Sequence, residues 1–340
     1  MSEHKPFRLM GLDPSPYTAK VDAYLSFKGL KFERLSRNMK NEKLFQAHAK
    51  VQLIPLVFLP DGETMQDSTV VLEHIERSHP EPSIHPEDPA LWYLSCLFEE
   101  FGDEWCNKLM FFQRWFYDAD AKATGARLAR ELLSGQWWGP IVQPIAAKML
   151  VKRMVPRLVY SGGNETNIPQ LKQSFEELSA MLDTHFSTRP YLLGARPCFG
   201  DFGLWCNLYQ AWTDPTAHAW LEAHAPNLVA YIKRMQRPGV EGDFEALDSL
   251  KPTLLPILEQ EFATRFLPWM EANHQAFANG DAETSLIMRG QLFKQKMFKY
   301  QAKTLDELRR KFATVSTNAA LNDVLEQTGC RPFLNASPLS

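Results

Sequence analysis

No uninterrupted apolar run in this chain is long enough to span a bilayer, so insertion is not expected and no membrane partner is called for. The opening stretch, MSEHKPFRLMGLDPSP, lacks the basic-then-apolar pattern of a secretory signal, which points to a cytoplasmic protein. A large excess of one charge is missing too. With 37 basic and 40 acidic residues the net charge is −3, which gives no electrostatic reason to expect a nucleic-acid partner. Cysteine is sparse: Cys96, Cys106, Cys198, Cys206 and Cys330 form no CxxC pair and are odd in number. A disulfide framework or a structural zinc site is therefore not expected, and reduced, mostly buried thiols are. The nine histidines show no HExxH or other metal spacing, so no metal is assigned. Neither a fixed-period repeat nor a low-complexity tract is present.

What is there suits a packed globular protein of two domains with an extension, at 340 residues, 45% of them apolar and 23% charged. Residues 7–12 read as a short apolar strand that Asp13-Pro14-Ser15-Pro16 punctuates. Residues 16–29 read as a helix ended by Gly29. A strand is expected at 31–36 and a polar helix at 40–50. Leu56–Leu59 and Glu63–Met65 should pair as a hairpin across Pro60-Asp61-Gly62. Asp67-Ser68 opens a further helix. The order βαβ-α-ββα implies a small mixed sheet flanked by helices. Pro80, Pro82, Pro86 and Pro89 then mark a linker, and 90–238 reads as helical, interrupted at Gly135, Gly139-Pro140 and Ser161-Gly162-Gly163. Beyond Gly239 a helix at 250–278, a turn at Asn279-Gly280-Asp281, a strand at Thr284–Met288 and a helix at 298–313 are expected.

Three local patterns can carry chemistry. Ser15 lies where a strand feeds a helix start, where unpaired N–H groups and the helix dipole favour negative charge. A hydroxyl there can donate to a ligand thiolate and lower its pKa. A lowering of about two units requires roughly 2.7 kcal/mol, the worth of one or two charge-assisted hydrogen bonds. Tyr17 and Thr18 are neighbouring hydroxyls that could occupy the same space. In Leu53-Ile54-Pro55-Leu56 a proline begins a strand, where it cannot donate to the ladder. A cis bond before it would leave the Ile54 N–H and C=O free to pair with a peptide. Gln66-Asp67-Ser68 opens a helix and can cradle a carboxylate on N–H groups and Ser68, with Asp67 for an ammonium group. Taken singly, each of the two Ser-bearing helix starts reads first as an ordinary N-cap.

Together, SPYTAKVDAYLSFKGLKFE and LIPLVFLPDGETMQDSTVVLEHIE resemble the thioredoxin-like domain of the glutathione S-transferase superfamily, in its bacterial, serine-containing type. The resemblance implies an α+β fold: a thioredoxin-like βαβ-α-ββα domain at 1–82, an all-α helical-bundle domain at 88–240, and an extension at 241–340. It implies Ser15 as the thiol-contacting residue, Pro55 as a cis-proline, Ile54 as backbone partner, and Asp67 with Ser68 as the γ-glutamyl holders. The family more often has Glu where Asp67 stands, a longer reach. RPYLLGARPCFGDFGLW resembles the loop and helix start of the family's second domain; Cys198 takes the usual Ser or Thr cap position while Asp201 is retained, so that start should be less firmly fixed. The aromatic stretch Trp105–Tyr117 would line the pocket for a hydrophobic second substrate, with Trp105, Phe112, Trp115 and Phe116 as its wall and Trp137-Trp138 as a further element. For any single residue of such a stripe, core packing is the default reading. Phe266, Trp269, Phe293, Phe298 and Tyr300 should let the extension pack on the helical domain and wall the cleft.

The implied activity is that of a detoxifying glutathione S-transferase: glutathione, as cosubstrate, attacks a hydrophobic electrophile. Alternatives are another glutathione-dependent reaction (ether cleavage, dehalogenation or isomerisation) or a non-catalytic binding module. A homodimer is expected, unless the extension covers the pairing surface.

Overall fold

The computed structural model describes residues 6–335. The first eighty residues fold as β1 (Phe7–Gly11), α1 (Pro16–Phe27), β2 (Phe32–Ser36), α2 (Glu42–His48), β3 (Leu56–Phe58), β4 (Thr64–Gln66) and α3 (Ser68–Ser78). The strand order is β2-β1-β3-β4, with β1 parallel to β2 and the other pairs antiparallel. Strand periodicity sorts the core into two layers. Leu9 and Val57 point toward α1 and α3, whereas Met10, Leu56 and Phe58 gather around Phe45 of α2. The expected hairpin closes with the Leu59 N–H on the Glu63 carbonyl (2.8 Å), and Gly62 takes a positive φ of 97° in its turn.

The helical domain begins after the proline-rich linker. Its elements are α4 (Pro89–Phe101), a π-helical segment at Gly102–Cys106, α5 (Asn107–Phe116), α6 (Asp118–Leu132), α7 (Gly139–Met154), a 3-10 segment at Val155–Ser161, α8 (Ile168–Phe186), α9 (Phe199–Trp212), α10 (Pro215–His224) and α11 (Pro226–Arg234). Buried α9 is the axis of this domain. It lies unusually close to the α4 rod because three glycines remove side chains from the contact. A Cβ on Gly102 would lie 2.2 Å from the Gly203 carbonyl carbon, one on Gly203 would lie 2.5 Å from the Glu99 carbonyl oxygen, and one on Gly200 would lie 2.8 Å from that of Ser95.

The start of α9 is firmer than the cysteine at its cap position suggested. Asp201 accepts from the Cys198 N–H at 2.8 Å and from the Leu192 N–H at 2.9 Å, so the acidic half of the cap holds both helix and preceding loop. Burial pushes the Asp201 carboxyl up to about 6.

The extension forms α12 (Leu247–Ile257), a π-helical segment at Leu258–Phe266, α13 (Leu267–Asn279), β5 (Glu283–Met288), β6 (Gln291–Lys296), α14 (Lys299–Val315), α15 (Ala319–Gln327) and the single turn α16 (Arg331–Leu334). Strand β6 was not anticipated. It pairs antiparallel with β5 across Arg289-Gly290, whose φ values of 48° and 80° make a tight reversal. Its inward positions are Phe293 and Gln295, so no apolar alternation announced it. Phe262 and Phe266 pack on Phe101, and Trp269 packs on Trp105, which ties the extension to the α4 rod. All five cysteines are free and buried.

The glycine contact has a direct test. Gly203→Ala places a methyl against backbone that cannot rotate away, and should destabilise the fold by about 1–3 kcal/mol. Urea unfolding of the variant checks this. An unchanged midpoint and slope would mean that α4 and α9 can separate without cost.

Candidate functional site

Two helix starts face the same region, and local chemistry sets each. At the first, Pro16 presets the opening φ of α1, and Ser15 caps it with extended geometry (φ −92°, ψ 121°). Its Oγ accepts from the Thr18 N–H at 3.3 Å and its side chain is partly exposed. The loop carrying it is clamped by the helical domain. Buried Arg114 donates to the Pro14 carbonyl at 2.7 Å, Gln210 to the Asp13 carbonyl at 2.7 Å, and the Asp13 N–H to Glu131 at 2.8 Å. Of the two neighbouring hydroxyls, that of Tyr17 donates to the Asp103 carbonyl at 2.9 Å, and Thr18 is fully buried against Gly11. Burial, then Asp103 and Glu104, hold the Tyr17 phenol well above its ordinary range, which keeps it protonated.

At the second start, Asp67 has φ +76° and caps α3, its Oδ1 accepting from the Thr69 N–H (3.1 Å) and Val70 N–H (3.4 Å). Ser68 is buried at the first position of the helix. Between the two starts lies the Ile54–Pro55 peptide, which is cis, as is Glu81–Pro82. The Ile54 N–H and C=O have no hydrogen-bond partner among the described residues.

The loop before Pro55 is held by a residue to which no separate role was given. Gln66 accepts from the Lys50 and Val51 N–H groups (2.8 and 3.1 Å) and donates to the Val51 and Leu53 carbonyls (2.9 and 2.7 Å).

Beneath both starts sits a buried ionic cluster that sequence reasoning missed. Lys20 of α1 is fully buried and donates to Thr69 of α3 (3.1 Å), to Glu99 of α4 and to Asp103 of the π-segment (2.7 Å). Thr69 donates in turn to Glu99 at 2.6 Å. Glu100 and Glu104 adjoin the cluster. Burial, reinforced by Glu104 and Glu99 and only partly offset by a hydrogen bond with Thr304, holds the Glu100 carboxyl well above the usual range, and its Oε1 is sealed from solvent with no hydrogen-bond partner among the described residues. Burial also raises Glu104, and pushes Asp103 up to about 7 against the pull of Lys20. The only signal available was the charged run Glu99-Glu100-Phe101-Gly102-Asp103-Glu104 inside an otherwise apolar helix.

The extension reaches this place. The Tyr300 hydroxyl donates to Asp67 Oδ2 at 3.2 Å, and Gln301 donates to Glu104 at 2.8 Å. Asp67, Thr69, Glu100, Asp103, Glu104 and Tyr300 line a cavity of about 160 Å³. Residues expected to wall an apolar pocket are placed differently from that expectation. Trp105, Phe112 and Trp115 are buried in the core, with Trp105 Nε1 donating to Ser174 at 3.0 Å. Phe116 alone of the four keeps an exposed face, stacked on Phe112. Trp137 is exposed and Trp138 half-buried.

Two parts of the chain match known family domains. Residues 14–78 match the family described as glutathione S-transferase, N-terminal domain, and residues 165–234 match glutathione S-transferase, C-terminal domain. A probable glutathione S-transferase of Solanum tuberosum is 34% identical over 84 residues, which is 24% of this chain and 38% of that relative. Glutathione S-transferase U7 of Arabidopsis thaliana is 28% identical over 105 residues, 30% of this chain and 46% of the relative. The chain thus spans less than half the length of the curated relatives it matches here. A Methylobacterium radiotolerans glutathione S-transferase solved with glutathione sulfonate is 21% identical, covers 72% of this chain and all of its own, and superposes with a TM-score of 0.44.

The buried carboxylates make stability depend on pH with a definite sign. Glu100 is raised in the folded state, so the folded protein binds the extra proton and its stability falls as pH rises from the unfolded value of about 4.3 through the folded one. Glu100→Gln, which imitates the protonated form, should gain thermal stability relative to the parent progressively as pH rises above the unfolded carboxyl value. A difference in melting temperature that stays flat over that rise would contradict the buried-charge account.

Proposed function

The chain belongs to the glutathione S-transferase superfamily, and from that premise we propose that it binds glutathione across the two helix starts and activates its thiol for attack on a hydrophobic electrophile. One observation carries the reading: the free Ile54 backbone lies between a partly exposed Ser15 at one helix start and an Asp67-Ser68 pair at the other. A γ-glutamyl tripeptide has matching parts, with a thiol at its centre, a peptide unit beside it and an α-amino acid end. In this reading Ser15 Oγ donates to the thiolate, Ile54 pairs with the cysteinyl backbone, and the α3 N-terminus with Ser68 receives the γ-glutamyl carboxylate. Asp67 attracts the ammonium group through Oδ2, the oxygen not used for capping. Rate enhancement comes from thiolate stabilisation at neutral pH and from holding two reactants together.

Residues 1–82 serve here as the glutathione domain, 88–240 as the helical domain and 241–340 as an extension whose Tyr300 closes the γ-glutamyl end. Phe116 is the one expected apolar-wall residue with a face free for an electrophile. Detoxification in the cytoplasm is the corresponding role. For assembly as a homodimer, α14 is an obstacle on one face: it packs on α4 and reaches α3 through Lys311 and Glu73 (3.6 Å), so a partner would pair elsewhere.

The thiolate assignment is tested by ultraviolet titration of bound glutathione. Ser15→Ala should raise the pKa of the bound thiol by roughly one to two units, the loss of a charge-assisted hydrogen bond worth about 1.5–3 kcal/mol. Tyr17→Phe should leave it unmoved. A shift with Tyr17→Phe and none with Ser15→Ala would move the role to Tyr17, and absence of any bound thiolate at neutral pH would defeat the catalytic reading.

A further inference from the structure

Helix α7 carries an apolar ridge that nothing among the described residues covers. Its inner side packs on α6. Val151 and Ala147 meet Gly125, where an added Cβ would lie 2.6 Å from Val151 Cγ2 and 3.1 Å from the Ala147 oxygen. The opposite side presents Ile141, Ile145 and Met149, one turn apart, at 72%, 64% and 66% exposure, with Trp137 just before the helix at 86%. At about 100° per residue, Lys148 and Lys152 fall on the same arc as the three apolar residues, and Arg153 borders it. All three cations are exposed, as is Arg157 in the following 3-10 segment. Between Glu131 and Glu165 the sequence contains no acidic residue, although the whole chain is net acidic at −3. This arm is therefore both the most apolar exposed helix face and a locally cationic one.

We propose that the α7 ridge is a docking face for an anionic lipid surface. The form of the face selects this occupant. The apolar side chains stand on the outer side of a helix whose main packing partners among the described residues are α6 and the neighbouring 3-10 segment, so they offer a ridge to a plane and not a groove to a peptide. A second copy of the chain fits poorly, because two-fold pairing of this face would set Lys148, Lys152 and Arg153 against the same cations with no acid among them. A helix whose exposed arc mixes Trp and aliphatic residues with long lysines lies in the headgroup region, its apolar side chains entering the acyl boundary and its lysine stems snorkelling so that the ammonium groups meet lipid phosphates. Sequence reading called for no membrane partner because it tested run length. Run length decides spanning, and no helix among the described residues is long and apolar enough to span. Lying on the surface needs only the ridge. The proposal is independent of the glutathione site.

Vesicle flotation of the full chain tests it, with liposomes of phosphatidylcholine alone and of phosphatidylcholine mixed with phosphatidylglycerol. The protein should float with the mixed vesicles and not the neutral ones, and added salt should weaken the association. Ile145→Glu should abolish flotation, and Lys152→Ala should lower partitioning about fivefold. Both side chains are exposed, so melting curves should stay at the parental temperature, which separates lost docking from lost folding. Three results would overturn the proposal. These are no flotation with either vesicle, flotation indifferent to Ile145→Glu, or a dimer in sedimentation equilibrium that Ile145→Glu dissociates. The last would make the ridge a self-interface.

Discussion

The buried ammonium of Lys20 is the contact on which the layout of the site depends. It joins α1, whose start carries Ser15, to α3, whose start carries Asp67, and to the carboxylates of Glu99 and Asp103 in the second domain. A buried charge of this kind is tolerated only when its partners are in place, and removing one member of such a cluster costs about 3–5 kcal/mol. A single N-cap is worth about 1 kcal/mol. The cluster therefore outweighs either cap in fixing where the two helix starts lie. The cluster in turn needs α4 beside α9, which Gly102, Gly200 and Gly203 permit by letting backbone meet backbone. Asp214, held by Arg114 and Arg127 (2.7 and 2.6 Å), performs the corresponding task on the Ser15 side, because the same Arg114 grips the Pro14 carbonyl.

The parts of the site that were legible in the sequence are those whose chemistry is local. A proline at a strand start, a serine before Pro16 and an Asp-Ser helix opening each constrain the backbone within a few residues, so Ser15, Pro55 and Asp67 could be singled out. The strands and helices of the first domain were legible for the same reason. Lys20, Thr69 and Glu99 were not, because a lysine inside a helix reads as solvated until the partner some eighty residues away is placed against it. Gln66 was quoted only as part of a helix opening, and its grip on the 50–53 loop depends on how strand β4 lies beside that loop. The aromatic run 105–117 shows the converse. Its composition suggests a pocket wall, but helical rotation and the arrival of Trp269 and Phe293 put Trp105 in the core.

The extension contributes to the site as well as covering the helical domain. Its packing rests on aromatic contacts with the α4 rod, and its reach to Asp67 comes from the start of α14, placed by the β5–β6 hairpin. Asn273 fixes that placement. Its amide donates to the Phe298 carbonyl at 2.8 Å and accepts from the Phe298 N–H at 3.0 Å, and Thr284 donates to the same side chain at 3.1 Å. Two residues later the chain presents Tyr300 and Gln301 to Asp67 and Glu104. The γ-glutamyl end of the proposed site is thus bordered by three segments far apart in sequence, near residues 67, 100 and 300.

A crystal structure with glutathione bound tests the central claim most directly. The account predicts the sulfur within hydrogen-bonding distance of Ser15 Oγ, the cysteinyl N–H and C=O paired with Ile54, and the γ-glutamyl end at the α3 N-terminus beside Asp67 and Tyr300. A sulfur seated at another hydroxyl, or a tripeptide bound away from Ile54 and α3, would contradict it.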